Sequence, residues 1–417
     1  MRAPTAVAVV AFLAGIPAAI SGVSAQSTVR AVALAGDPAP GGGSFEHFGV
    51  ESLPIVAPAN TKGQVAFFAT MLRSTASEAF FLASQGRAVR VVAEGDPVPG
   101  GGVFSGFGRH PIPALNERGD VAFAAAVVGG RTVEGIFLRN ARGLRPVVVT
   151  GGGAPGLPSG TIAAVDAPAL NDRDDVAFLA SVRRGRDVVE AVYAVVGGRL
   201  TKVVAQGDPA PAGGTFAGFG PPVINNRRRV AFAAVVEGRA VPGGIFVAEG
   251  PAIRMVTGAG SETPIGGIFV KFSERVTQND AGAVAFTAVL KSAEAEQGIF
   301  VVDDDRLRKV TALGETAPGG GTFAHFSLWP ALAADGSVAF AAAVDGSAVQ
   351  VALFVASARG TARVVALGDV LGPNRRLASF GLYPVVALSP AGGLTFATTP
   401  GAAVGIEGLF FVAPPPR

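Results

Sequence analysis

Apolar residues in this chain come in short bursts that are separated by Gly, Pro, Asn and Asp. Within a burst such as Val121–Val128, large and small apolar residues alternate, which places Phe on one face and Ala on the other. Short apolar runs bounded by turn-forming residues are typical of buried β-strands. The pattern therefore predicts an all-β protein whose sheets stack large side chains against small ones.

One burst recurs seven times at nearly constant spacing. Its consensus is roughly P-x-x-N-x-x-G-x-V-A-F, and the closing phenylalanines are Phe67, Phe123, Phe178, Phe232, Phe286, Phe340 and Phe396. Subtracting successive positions gives intervals of 56, 55, 54, 54, 54 and 56 residues. A repeat of about 50 residues with strand-type composition is typical of a β-propeller, in which each repeat is one four-stranded blade.

The second copy shows the unit. Its four predicted strands are His110–Leu115, Asp120–Val128, Gly135–Arg139 and Leu144–Thr150. The chain begins with an isolated strand, Thr28–Leu34, and ends at Gly408–Ala413 with a fourth strand missing. We therefore predict a seven-bladed β-propeller of four-stranded antiparallel blades, closed when the N-terminal strand completes the last blade. Six blades plus an irregular segment is the alternative, because copies five and seven are the most degenerate.

Two turn residues recur, each in five of the seven copies. The position seven before the repeat Phe is Asn in five copies (Asn60, Asn116, Asn171, Asn225 and Asn279), as expected where a side chain closes a turn on its own backbone. The position four before it is Gly in five copies, where a positive φ is expected, but copies three and four carry Asp174 and Arg228. Those two turns are predicted to relax or to be strained.

A second recurrent element, G-D-P-x-P-G-G, leads into the next blade at Gly36, Gly95 and Gly207, with degenerate forms at Gly314 and Gly368. Its acids are Asp37, Asp96, Asp208, Glu315 and Asp369. One carboxylate per loop is too few for calcium, so turn formation is the favoured interpretation and calcium binding the alternative. Aromatic pairs follow at Phe45/Phe48, Phe104/Phe107, Phe216/Phe219 and Phe323/Phe326, and they are predicted to fill the gaps between blades.

These motifs resemble a known family. The N-x-x-G-x-V-A-F copies are similar to the bacterial tandem-repeat NxxGxxAF proteins, an exported family without a defined activity. The turn before an apolar strand also resembles the blades of TolB-like propellers. The resemblance implies an exported scaffold and names no activity.

Targeting and composition narrow the function classes further. Arg2, the apolar run Ala6–Ile20 and Val23–Ala25 together predict a signal peptide over residues 1–25, with a single propeller domain over residues 26–417. We therefore expect export to a bacterial periplasm or medium. The chain has no Cys, which excludes disulfides and thiolate chemistry. Its 34 basic and 31 acidic residues nearly balance, so no nucleic-acid partner is expected. No segment after the signal peptide predicts a membrane span. We expect a monomer.

Recognisable catalytic motifs are missing from the sequence. Only three histidines occur, and His47 and His325 fall at equivalent places in blades that are not adjacent, so we predict exposed loop histidines rather than a metal site. No cofactor is predicted.

Function is expected where the copies differ. The predicted channel-lining strands carry six atypical residues: His110, Asp166, Glu274, Arg275, Trp329 and Tyr383. Trp329 is the only Trp, and aromatic groups beside charged ones are typical of ligand sites. We predict that His110, Arg275, Trp329 and Tyr383 bind a ligand. The alternative is that Trp329 and Tyr383 only fill space between packed blades.

The favoured function is a non-catalytic scaffold that binds a protein or a glycan. The alternative is a hydrolase or lyase that works in the channel, with Asp166, Glu274 and His110 as its catalytic residues.

Overall fold

The computed structural model describes residues 29–49, 55–108, 110–238, 241–372, 375–381, 384–399 and 407–414. Every regular element in these ranges is a strand, and the strands form seven antiparallel blades in a ring. The seven-bladed propeller is confirmed, and the alternative of six blades is wrong. No helix in the described ranges has the length and apolarity needed to cross a membrane. The predicted signal peptide and Tyr383 lie outside the described residues, so the domain boundary at residue 25 stays a prediction.

Successive strands along the chain form successive blades, and the blades are numbered in the order of the repeat Phe that each contains. The N-terminal strand is β1 (Val29–Leu34); blade 1 is β2 (Ser44–Phe45), β3 (Val65–Leu72), β4 (Glu78–Ser84) and β5 (Arg87–Ala93); blade 2 is β6 (Val103–Gly106), β7 (Ala114–Leu115), β8 (Val121–Val128), β9 (Glu134–Asn140) and β10 (Gly143–Val149). Blade 3 is β11 (Thr161–Leu170), β12 (Val176–Arg184), β13 (Asp187–Val196) and β14 (Arg199–Ala205).

The remaining blades repeat this plan. Blade 4 is β15 (Thr215–Phe219), β16 (Val223–Ile224), β17 (Val230–Glu237), β18 (Gly243–Glu249) and β19 (Ala252–Gly258); blade 5 is β20 (Ile268–Phe272), β21 (Thr277–Gln278), β22 (Val284–Lys291), β23 (Gln297–Asp303) and β24 (Arg306–Ala312). Blade 6 is β25 (Thr322–Phe326), β26 (Ala331–Leu332), β27 (Val338–Asp345), β28 (Val351–Ser357) and β29 (Gly360–Ala366); a hairpin of β30 (Val370–Gly372) and β31 (Arg375–Arg376) precedes β32 (Val386–Leu388), β33 (Leu394–Thr398) and β34 (Gly408–Val412) of blade 7.

The N-terminal strand closes the ring as predicted. β1 pairs antiparallel with β34, with Val29 opposite Val412 and Leu34 opposite Gly408. β34 otherwise pairs only with β33, so β1 supplies the fourth strand of blade 7. First and last segments of the chain are thereby joined in one sheet, which removes an open edge.

Each blade presents bulky rings to small residues of the preceding blade. At the junction of blades 3 and 4, Phe216, Phe232 and Phe246 pack against Ala177 and Ala194. A buried cluster of this kind lies at each of the seven junctions. The predicted alternation of large and small faces is confirmed, and so is the role of the aromatic pairs as filling between blades.

The first strand of the blades differs from the prediction. In blade 2 it begins at Val103 rather than His110, breaks after Gly106, and resumes only for Ala114–Leu115. Pro111 and Pro113 lie inside the break, where a residue without an N–H cannot continue the ladder. The prediction that His110–Leu115 is one strand is therefore wrong. Within this break, the side chains are not bound to the alternating orientation of a strand.

Candidate functional site

The innermost strands of all seven blades surround a central channel with a cavity volume of about 320 Å³. Its wall is mostly apolar and is built from residues such as Ile112, Val223 and Leu388. In blades 2, 4, 5 and 6 the innermost segment starts after a break in the first strand, and in blades 1 to 5 it ends at the Asn turn. The breaks therefore lie toward one end of the channel and the Asn turns at the other.

The repeat asparagines form a series of hydrogen bonds that links blades 1 to 6 around the turn end. Each Asn side-chain amide donates to the backbone carbonyl of the equivalent residue in the next blade: Asn60 to Asn116 (3.1 Å), Asn116 to Asn171 (3.2 Å), Asn171 to Asn225 (3.0 Å), Asn225 to Asn279 (3.2 Å) and Asn279 to Ala333 (3.2 Å). The amide oxygen meanwhile accepts from the backbone N–H two residues on in the first four copies, as predicted. The link between blades was not predicted, because a single repeat cannot show which group its neighbour presents.

The turns of copies three and four keep the backbone that Gly adopts elsewhere. Asp174 has φ 61° and Arg228 has φ 65°, so these turns are strained rather than relaxed. Arg228 Nε donates to Asp175 Oδ2 at 2.9 Å. Burial alone would raise the pKa of Asp175, but hydrogen bonds from Gly197 N–H, Arg228 and Asn171 more than offset that effect and hold the pKa below its usual value.

The predicted ligand residues gather at the breaks. His110 lies between β6 and β7, Arg275 between β20 and β21, and Trp329 between β25 and β26, while Asp166 lies where the register of β11 shifts. A break or bulge lets a side chain leave the alternation of the strand, and such irregularities are frequent beside functional sites. Arg275 and Trp329 line the channel cavity, whereas His110 and Asp166 lie two residues before Ile112 and Pro168, the first lining residues of their blades. Asp166 is nevertheless near enough for its charge to act on Arg275.

His110 and Asp166 contact each other directly. His110 Nδ1 lies 2.8 Å from Asp166 Oδ2, and both side chains remain partly exposed. The other oxygen, Oδ1, accepts a hydrogen bond from the Ala167 N–H at 2.7 Å. Ala167 has φ 50°, a conformation that costs an L-residue roughly 1–2 kcal/mol. The carboxylate is thus held toward the imidazole by a strained backbone, leaving Nε2 as the other hydrogen-bonding atom of the ring.

Arg275 and Trp329 form the second pair of the site. The guanidinium carbon of Arg275 lies 5.2 Å from the centroid of the Trp329 ring, within the range of a cation–π contact. Removal from water lowers the pKa of Arg275 to about 10, and the nearby charge of Asp166 only partly counteracts this. Among the described residues, Arg275 has no ion pair. The channel mouth thus holds a desolvated cation without an ion pair in the described part of the chain, beside a carboxylate, Asp166, that also contacts His110.

Two predicted residues do not join this cluster. The Glu274 side chain is exposed, and no contact joins it to His110 or Asp166 in the described part of the chain. Its backbone instead abuts blade 4, where the Glu274 carbonyl oxygen leaves no room for a Cβ on Gly220. Glu274 is therefore not placed to act together with the other two acid–base candidates. Tyr383, as noted, lies outside the described residues.

The acids of the G-D-P loops close turns. Each carboxylate accepts a hydrogen bond from the backbone N–H three residues earlier: Asp37 (3.2 Å), Asp96 (2.8 Å), Asp208 (2.8 Å), Glu315 (3.2 Å) and Asp369 (2.8 Å). Across the described ranges, no group of three or more His, Asp or Glu side chains is placed to hold a metal ion. These geometries support the turn-forming interpretation.

A further set of side chains, missed by sequence reasoning, ties neighbouring blades together near the breaks. Each member stands three residues before the third-strand aromatic position and accepts from a backbone N–H of the next blade. The pairs are Glu78 with Phe107 (3.0 Å), Glu134 with Val165, Gln297 with Phe326 (3.3 Å) and Glu407 with Phe48 (2.9 Å). Glu407 also lies 2.8 Å from Nδ1 of His47. We call these side chains the blade anchors. The sequence carries a signal for them, because each lies three residues before the aromatic residue of the third strand.

Similarity to solved structures supports the same architecture. An oligogalacturonate lyase from Vibrio parahaemolyticus has a TM-score of 0.51 at 10% identity, with 93% of this chain and 94% of that chain covered. An oligogalacturonate lyase in complex with manganese has a TM-score of 0.52 at 12% identity, over 94% and 98% of the two chains. A puromycin-hydrolysing peptidase from Mycobacterium tuberculosis has a TM-score of 0.51 at 12% identity; the match covers 86% of this chain but only 51% of the peptidase. At these identities the likeness shows the fold alone.

Sequence comparison gives a family without an activity. No curated protein matches the chain. A family of unknown function, DUF7453, matches residues 72–243 and again residues 240–405. The two matches cover most of the chain, which agrees with the expectation of an uncharacterised repeat family. The chain therefore belongs to the DUF7453 family of unknown function.

Proposed function

We propose that this protein binds an anionic oligosaccharide at the channel mouth formed by His110, Asp166, Arg275 and Trp329. The observation that carries the proposal is the half-buried guanidinium of Arg275 over the Trp329 ring, with its pKa lowered to about 10 by desolvation. A desolvated cation without a full counter-charge favours an incoming anion. A guanidinium binds carboxylate through paired hydrogen bonds, and an indole ring packs well against apolar faces of a ligand.

The chemistry of the site favours a sugar acid over a simple anion. His110 and Asp166 add a hydrogen-bond donor and acceptor beside the cation, as a ligand with several hydroxyl groups requires. The channel is about 320 Å³ in volume, near the lower end of the usual range for small-molecule sites. The oligogalacturonate lyases of similar fold act on an anionic oligosaccharide, and this likeness supports the proposal.

Calorimetric titration with oligogalacturonate and with an uncharged oligoglucoside tests the proposal. The acidic ligand should bind and the neutral one should not, and Arg275→Gln should weaken binding by at least about tenfold because a charge-assisted pair is lost. Trp329→Ala should weaken it too. The control is Arg254→Gln, because Arg254 pairs with the exposed Asp305 at 2.9 Å, outside the channel wall. Equal binding of both ligands, or equal effects of the two Arg variants, would contradict the proposal.

Cleavage of such a ligand is the second candidate function, favoured by the 2.8 Å contact between His110 and Asp166. In a β-elimination, Nε2 of His110 would take the proton beside the sugar carboxylate, and the C–H electrons would form a carbon–carbon double bond. The glycosidic oxygen would leave with its bonding pair and take a proton from water, and His110 would then release its proton to water. Arg275 would stabilise the negative charge that develops on the carboxylate. Ultraviolet absorbance of the unsaturated product, lost in His110→Ala, tests this. Binding without catalysis stays our first hypothesis because Glu274 stands apart from the pair.

Export and a protein partner remain part of the proposal. Mass spectrometry of protein recovered from a bacterial periplasm or medium should show an N-terminus at Gln26, after cleavage behind Ala25; an intact Met1 would contradict export with processing. Pull-downs that compare the wild type with Trp329→Ala would show whether a protein partner uses the same channel mouth.

A further inference from the structure

A second cavity, of about 430 Å³, lies between blades 6 and 7 and shares no lining residue with the channel. Its wall is largely apolar, with Ala341–Ala343 of β27, Val351 of β28 and Phe380 of blade 7. His325 and Ser327 of blade 6 also line it. Both its volume and its composition are those of a small-molecule site, since such pockets are mostly apolar with a few placed polar groups.

The pocket occurs where a blade anchor is missing. At most junctions a Glu or Gln reaches across to a backbone N–H of the next blade, as Gln297 does to Phe326 at 3.3 Å. The equivalent position in blade 6 is Val351, which has no oxygen to offer. The N–H equivalent to that of Phe326 belongs to Phe380, and no atom of the described residues accepts a hydrogen bond from it. The missing carboxylate or amide thus leaves both a space and an unused donor.

Ser327 supplies a second unused polar group. Its hydroxyl oxygen is buried and has no hydrogen-bond partner among the described residues. The equivalent serine of blade 5 is satisfied: Ser273 Oγ lies 2.9 Å from the Arg275 carbonyl oxygen and 3.3 Å from the Thr287 N–H. An unpaired buried hydroxyl is costly and calls for a ligand or water as partner.

We propose that this pocket binds a small apolar monocarboxylate. One carboxylate oxygen takes the place of the absent anchor and accepts hydrogen bonds from the Phe380 N–H and the Ser327 hydroxyl. The apolar body of the ligand packs against Ala342, Val351 and Leu367, which line the same space. Removing apolar surface from water then adds to the charge-assisted hydrogen bonds.

Benzoate is a suitable probe, with benzyl alcohol as its uncharged counterpart. Ligand-observed NMR and calorimetry on the full chain should show that benzoate binds and benzyl alcohol binds at least about tenfold more weakly. Ser327→Ala should weaken benzoate by about tenfold without lowering the melting temperature, because the hydroxyl it removes is unpaired. Val351→Gln should abolish binding, since the new amide recreates the anchor seen at Gln297.

Ser273→Ala is the matched control. It removes the equivalent hydroxyl outside the pocket, so it should lower the melting temperature and leave benzoate affinity unchanged. Failure of benzoate to bind the wild type at millimolar concentration, or unchanged affinity in a folded Val351→Gln variant, would overturn the proposal. Loss of binding in Arg275→Gln would place benzoate in the channel instead and would overturn it too. Oligosaccharide binding at the channel is measured separately, so the two proposals can fail independently.

Discussion

Replacing Asn171 by alanine should destabilise the propeller strongly, because this buried side chain joins two blades. Its amide nitrogen donates to the Asn225 carbonyl (3.0 Å) and to Asp175 Oδ2 (3.1 Å). Its oxygen accepts from the N–H groups of Arg173 (2.9 Å) and Asp175 (3.0 Å). Each such bond contributes about 0.5–1.5 kcal/mol net, so the loss of four should lower the free energy of unfolding by about 2–6 kcal/mol.

Asn226→Ala is the control for this prediction. The Asn226 side chain also makes three hydrogen bonds, to Asp172 Oδ2 (2.6 Å), to Asp280 Oδ2 (2.8 Å) and from the Asp172 N–H (2.7 Å). It lies at the more exposed rim of the channel, where water can replace lost partners, so we expect a loss of about 1 kcal/mol or less. Urea unfolding followed by circular dichroism and by the fluorescence of the single Trp gives both values. If Asn171→Ala costs no more than Asn226→Ala, the hydrogen bonds of the repeat asparagines do not hold the blades together.

Other changes test the core, the closure, a charge and the site. Phe232→Ala should cost about 3–5 kcal/mol in urea unfolding, as for other buried aromatic residues, and a loss below about 1 kcal/mol would mean that the strand faces are reversed. Deleting Val29–Leu34 should open the ring and cause aggregation in size-exclusion chromatography; a soluble variant that unfolds cooperatively would refute closure by β1. The pKa of Asp175 is held low in the folded protein, so the ionised carboxylate stabilises the fold fully above about pH 4. This stabilisation is lost as the pH falls through the folded-state pKa of Asp175, so acid should destabilise the wild type more steeply than Asp175→Asn. Ala167→Gly should raise the melting temperature by relieving the positive φ but weaken oligosaccharide binding, and unchanged binding would show that this strain does not position Asp166.

Sequence reasoning could reach the architecture because the repeat encodes it locally. The period of the Phe positions set the number of blades, and the alternation around Phe232 set which face is buried. The unpaired strand before Gly36 and the missing strand after Val412 were enough to predict the closure by β1. The buried face follows from strand period and turn chemistry among residues close together in the chain, whereas the number of blades and the closure follow from counting copies and strands along its whole length.

Sequence reasoning reached the candidate site only in part. His110, Arg275 and Trp329 stood out against Pro, Ala and Val, yet Glu274 looked equally suitable and lies apart. Neither the 2.8 Å contact of His110 with Asp166 nor the placement of Arg275 over Trp329 follows from spacing, because the partners come from different blades.

The all-β class, the seven blades and their closure by the first strand could thus be predicted from the chain alone. Which atypical side chains meet, and that a pocket lies beside Val351 where an anchor is absent, became visible only in the folded molecule. Blade formation depends on local periodicity, whereas the channel mouth and the pocket depend on breaks in the strands that turn side chains toward a neighbouring blade.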